Sequence, residues 1–367
     1  MNKLSVISYQ FSVRNAKCVL TLLVALNLIS LSSCKKDDDD KTGKYSKGVF
    51  IINEGPFQTG TGTVSFINRE NSTIENEIFQ AVNNRPLGNV VQSATFHEGK
   101  IYIVVNNADK IEIVDAGDFK EVGVINGLKL PRFILPVSSS KAYVSQWGTG
   151  GLQGEIKVID LNSNTITKTI ATGKGAEAMV RKDNFIYVTN GGGFDNDNTV
   201  TVIDANTDAV VVTLTVGANP NSIQLGSNGH VFVLCSGKWK SDFSSLETKG
   251  SLYVIKSNNQ NDVVGYNFDS EFSQPNDLVI NPASNKLYYS YDGNIYTQDI
   301  STGNLQLNSL VSRNFYSLGY DPATDYLYAG DAGNFSSNGK VLRYNSSTGA
   351  VLDSFDAGIA PNGFLFR

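Results

Sequence analysis

Two histidines, His97 and His230, and one cysteine in the body of the chain, Cys235, are the side chains with which this 367-residue sequence could run nucleophilic chemistry. A Ser-His-Asp or Cys-His arrangement needs a histidine beside the nucleophile to take its proton. Both histidines flank short polar turns, His97-Glu98-Gly99 and Ser227-Asn228-Gly229-His230, where surface or packing roles are expected. Cys235 ends the apolar run Val231-Phe232-Val233-Leu234 and reads as a buried strand residue. No set of His and Cys has metal-ligand spacing. Asp195-Asn196-Asp197-Asn198 alternates oxygen-bearing side chains like a calcium loop, yet it lacks the sixth-position glycine and distal glutamate of an EF-hand, so calcium at Asp195 and Asp197 stays open. Lys174 follows a glycine without the spacing of a phosphate loop. The sequence therefore predicts a binding protein with no resident cofactor or metal rather than an enzyme.

Residues suited to binding are more plentiful. Aromatic side chains outside the apolar segments collect at Phe57, Trp147, Phe194, Trp239, Phe243 and Phe335, which include both tryptophans. Arg85, Arg132, Asn221, Asn276, Arg313, Tyr316 and Asn362 follow or precede prolines and short connections, where they could donate hydrogen bonds to amides or phosphate. An apolar, flat ligand or a partner protein would suit such a set.

The elements that must position these residues repeat. A short aromatic strand recurs seven times, with Phe50, Tyr102, Tyr143, Tyr187, Phe232, Tyr288 and Tyr328 at steps of 52, 41, 44, 45, 56 and 40 residues. That spacing is close to a four-stranded propeller blade. A second strand with alternating apolar residues follows, often ending in aspartate, as in Lys110 to Asp115, Glu155 to Asp160 and Thr199 to Asp204; a third runs from Ala209 to Val216. A proline-led strand such as Pro131-Arg132-Phe133-Ile134 or Pro220-Asn221-Ser222-Ile223 then leads into the next copy. The repeat opens at Val49 without its proline-led strand and closes with that strand, Pro361 to Phe366, so the two ends are predicted to complete one blade. The expected fold is all-β, a seven-bladed β-propeller over residues 48–367. A composition of 34 Gly, 16 Tyr and 19 Phe against 2 Met suits it.

Strand direction sorts the loops onto two faces. Turns after the proline-led strands are short and make a plain face, whereas the loops after the aromatic strands, such as Gln146 to Gly154 and Ser236 to Gly250, build up the opposite one. All the aromatic candidates fall on the built-up face, with the connection residues around the channel mouth. The alternative for each aromatic is that it plugs its own loop. A net charge of -5 with no basic stripe excludes nucleic acid as the expected partner.

Lys3, Arg14 and Lys17 precede an apolar run from Val19 to Leu31, the layout of a signal peptide over residues 1–33. Leu31-Ser32-Ser33-Cys34 resembles the lipobox of bacterial lipoproteins, which implies acylation of Cys34; an ordinary signal cleavage site is the alternative. The following Lys35-Lys36-Asp37-Asp38-Asp39-Asp40, within an acidic linker over 34–47, resembles the export tag of Bacteroidetes surface lipoproteins, and its alternative is a solvated linker. These resemblances imply an outer-membrane protein facing the exterior and held only by its N-terminal lipid.

The proline-led, Tyr-Val-x-Asn and Val-x-Val-Ile-Asp strands together resemble YncE-type propellers across residues 48–367. Within them Asn53-Glu54-Gly55-Pro56-Phe57, Asn84 to Asn89, Gln92-Ser93 and Tyr102 to Asn107 resemble the BtuG-type lipoproteins that capture cobalamin for an outer-membrane vitamin transporter. That resemblance implies a corrinoid ligand and a TonB-dependent transporter as partner. A module binding a surface protein or glycan, or a lyase- or hydrolase-type propeller enzyme, are the other readings.

Overall fold

Seven four-stranded antiparallel sheets follow one another in a computed structural model that describes residues 43–367 other than residue 58. The signal segment, Cys34 and the acidic run lie outside the described residues. In each blade the strand that leads into the aromatic strand is innermost, the aromatic strand second, the following strand third and the last outermost, as in Pro131–Pro136, Lys141–Gln146, Glu155–Asp160 and Thr165–Ala171 of blade three. Blade one takes its inner strand, Pro361–Phe366, from the C-terminus; it pairs with Gly48–Asn53 in the register Val49 to Phe366, Phe50 to Leu365 and Ile51 to Phe364. The predicted fold and closure are both present, and closure leaves no open sheet edge at the seam.

The aromatic strands read as continuous apolar runs because they are buried on both sides. Every residue of Gly48–Asn53 is buried. Alternate residues serve different interfaces: Phe50 and Ile52 pack towards Ile101 and Ile103 of blade two, while Val49 and Ile51 pack towards Tyr328 and Val341 of blade seven. One apolar cluster of this kind fills each of the seven gaps between blades. The recurrent aspartate has a local cause. Asp115, Asp160 and Asp204 each accept the backbone N–H two residues ahead, closing the turn to the outer strand.

Three features go beyond the sequence reading. A short helix α1, Ile78–Asn83, follows the outer strand of blade one and buries Ile78 and Phe79. The long loop of blade five folds back as a small hairpin, Lys238–Trp239 with Leu246–Thr248. Residues 43–47, expected to be linker, pack on the propeller instead: Tyr45 is buried edge-on to Phe66 and Phe119, and its N–H donates to Gly117 O at 3.0 Å. Because Ala116 bonds to Gly99 in a short inner-strand turn, the chain enters on the plain face.

Candidate functional site

The inner strands all begin on the built-up face, and in five of the seven a repeated backbone device turns one side chain towards the channel. Val90, Leu130, Gly175, Asn219 and Ala360 adopt left-handed φ between 51° and 60° just before their strands. Their carbonyls accept the N–H of the residue that leaves the aromatic strand: Asn106, Trp147, Gly191, Ser236 and Glu54. A register shift follows at 91/93, 131/133, 176/179 and 220/222, and the same shift separates Pro361 from Gly363. Bulges of this kind re-aim side chains at the rims of sheets. Val90 is β-branched and Leu130 bulky, so their left-handed backbone is held against its preference by the surrounding bonds.

The residues so aimed, Gln92, Arg132, Glu177, Asn221 and Asn362, form with Asn276 and Tyr316 a ring of seven, all lining a funnel of about 750 Å³. Five of these were expected from the sequence. Gln92 and Glu177 were missed because no proline precedes them; their signal is the position directly after the first residue of an inner strand. Glu54, Asp277 and Asp331 also line the funnel and were not anticipated.

Two aromatic pairs stand on blades that face each other across the ring. On blades three and four, Trp147 meets Phe194 edge-on with centroids 5.2 Å apart. Arg132 lies over the Trp147 ring at 4.3 Å, donates Nε to both Glu177 oxygens, and donates Nη1 to Gln92. The Trp147 indole N–H donates to Glu177 at 3.0 Å, which fixes the ring in place. On blade seven, Tyr316 meets Phe335 edge-on at 4.8 Å and donates its hydroxyl to Glu54 at 2.5 Å. Burial first, and Glu54 next, push the Tyr316 phenol above its ordinary range. Between these pairs Asn221 Nδ2 donates to Ser236 Oγ, Pro275 O and Asn276 Oδ1.

Other expected residues stand elsewhere. Arg85 is not at the channel mouth: its guanidinium grips Glu112 and Glu121 on the outer half of blade two and lies over Phe79 of α1. Arg313 is one shell out, bonded to Asp331 and stacked on Phe315. Phe194 backs Trp147 rather than lining the wall. Phe57 and Phe243 are exposed on loops away from the funnel, and Trp239 belongs to the blade-five hairpin. Phe335 is half-exposed at the rim with left-handed φ.

Asp195 pairs with Lys174 at 2.5 Å, which holds its carboxyl below the usual range, and Asp197 accepts from Lys174 N, Asn198 N and Thr199 Oγ1. Their oxygens serve the loop, and no cluster of three or more His, Cys, Asp or Glu suited to a metal occurs among the described residues. His97 bonds to Ser138 O and His230 accepts from Ser257 N, both on the plain face. Cys235 is buried, and burial pushes its thiol up to about 12.

The chain belongs to the family described as a domain of unknown function, DUF5074, whose model matches residues 47–363. No curated protein matches the sequence. Among solved structures, a quinonprotein alcohol dehydrogenase-like protein from Bacteroides thetaiotaomicron is 18% identical with a TM-score of 0.63, over 88% of this chain and 78% of that one. A functionally unknown protein from Desulfotomaculum acetoxidans is 13% identical with a TM-score of 0.63, over 87% and 98%. The periplasmic gluconolactonase of Pseudomonas aeruginosa is 11% identical with a TM-score of 0.62, over 87% and 99%. At such identities the likeness shows the shared propeller fold alone.

Proposed function

We propose that this DUF5074 chain is a non-enzymatic capture protein that takes a flat, amide-bearing ligand across the funnel mouth, a corrinoid such as cobalamin being the favoured one. The observation that carries this reading is the pair of aromatic clamps, Trp147 with Phe194 and Tyr316 with Phe335, on opposite sides of a ring rich in carboxamides. Aromatic edges suit a flat macrocycle, and carboxamides suit its peripheral amides. The BtuG-type resemblance of the first third of the chain supplies the ligand's identity and, with it, hand-off to a TonB-dependent outer-membrane transporter. Acylation of Cys34 would hold the protein at the outer membrane by its lipid.

Calorimetry of residues 43–367 with cyanocobalamin tests this. Saturable one-to-one binding is expected. No heat and no tryptophan quenching at micromolar concentrations would remove the corrinoid and favour a partner protein on the same face, where Phe57, Phe243 and Phe272 are exposed off the funnel.

A further inference from the structure

Hydrogen-bonding capacity in the funnel is lopsided. Several of its donors are already used within the protein: Trp147 Nε1 on Glu177, Tyr316 OH on Glu54, Asn221 Nδ2 on three acceptors, and Arg132 Nε and Nη1 on Glu177 and Gln92. Asp277 Oδ2, Asn362 Oδ1 and Asn219 Oδ1 are buried and have no partner. The amide orientations follow from neighbours that can only accept: Asn219 Nδ2 donates to Gly237 O, and Asn362 Nδ2 donates to Val91 O and Gln92 O. Buried acceptors without donors cost stability, and a ligand that supplies donors recovers it.

Charge points the same way. Of the five carboxylates that line the funnel, Glu177, Asp195 and Asp331 are paired with Arg132, Lys174 and Arg313, which leaves Glu54 and Asp277 without a cation among the described residues. Asp277 sits one residue deeper along its inner strand than the ring, with no ion partner among the described residues and its carboxyl pushed up to about 7 by burial alone. A buried carboxyl left without a donor is costly to ionise until a donor arrives.

We propose that the funnel recognises its ligand through hydrogen-bond donors and positive charge, with Asp277 as the anchoring carboxylate, so that it takes carboxamide, hydroxyl or ammonium groups and rejects phosphate and carboxylate. This rests on reading the funnel as a ligand site but not on the corrinoid. Of the two acceptors expected from sequence for donors such as Arg132, Asn221 and Asn362, amides or phosphate, it keeps the amide and drops the phosphate.

Three probes of one ring shape separate the charges: glucosamine, glucose and glucuronate, each titrated at pH 7.5 into residues 43–367, whose sheets close without the preceding segment. Glucosamine should bind at least tenfold more tightly than glucuronate, with glucose between them, as a charge-assisted bond to Asp277 implies. Asp277→Asn should shrink that preference below threefold while the far-ultraviolet spectrum and unfolding cooperativity stay unchanged. Equal or tighter binding of glucuronate, no binding of any of the three, or a preference that survives Asp277→Asn would overturn the inference. If cyanocobalamin fails to bind while the three probes keep this order, the corrinoid reading falls and the donor rule stands. Cyanocobalamin binding without that order would do the reverse.

Discussion

Replacing Asp277 by asparagine removes a carboxyl that the folded chain keeps protonated and the unfolded chain does not. Burial raises it from 3.8 to about 7, so the native state holds a proton that the denatured state has released over the intervening range. Stability from this group is therefore complete below about pH 4 and is lost as pH rises through 7. A rise from 3.8 to about 7 corresponds to roughly 4 kcal/mol at most. Asp277 is only partly covered and borders the open funnel, where solvent screens the ionised form, so a loss of about 1–2 kcal/mol between pH 5 and pH 8 is the expected magnitude. The substituted carboxamide would keep the shape without the titration. Urea unfolding of the unaltered protein and of Asp277→Asn at pH 5, 6, 7 and 8 isolates the effect, because the two chains differ at this one carboxyl alone. The variant's stability relative to the parent should rise by about 1–2 kcal/mol between pH 5 and pH 8. Parallel pH profiles, or a relative stability that falls over that range, would refute the argument.

Trp147→Ala should weaken cyanocobalamin binding about thirtyfold, roughly 2 kcal/mol, since central aromatics dominate such sites, whereas His97→Ala on the plain face should leave calorimetric affinity unchanged. Tyr45→Ala, which empties the pocket formed by Phe66 and Phe119, should lower stability by about 3 kcal/mol in denaturant titration without altering ligand affinity. Cys34→Ala should move the protein from the membrane to the soluble fraction with the propeller still folded. Removing residues 37–40 should leave it lipidated but less accessible to external protease.

The fold was legible because the aromatic strands carry their burial on both faces into the sequence, and because Asp115, Asp160 and Asp204 mark their turns by a local bond. The site was legible wherever proline announced an inner strand, hence Arg132, Asn221 and Asn362. Where the strand opens with Val91 or Ala176 that punctuation is missing, so Gln92 and Glu177 went unseen. Arg85 was misplaced because α1 lies between blades one and two and carries the connection outwards, and six residues are too few to show helical periodicity. Trp239 and Phe243 were drawn inwards by the aromatic count, but the hairpin that holds them depends on long-range contacts such as Leu246 N–H to Glu271 O. The pairing of donors within the funnel had no sequence signal at all. It arises from pairs such as Tyr316 with Glu54, 262 positions apart.

Hydrogen–deuterium exchange of residues 43–367 with and without saturating cyanocobalamin tests the central claim, that the funnel is where this protein binds. Protection is predicted at the starts of the inner strands, around 91–93, 131–133, 220–222, 276–277 and 361–363, and in the loops carrying Trp147 and Phe335. Protection confined to the plain-face turns near His97 and His230, or none anywhere, would contradict it.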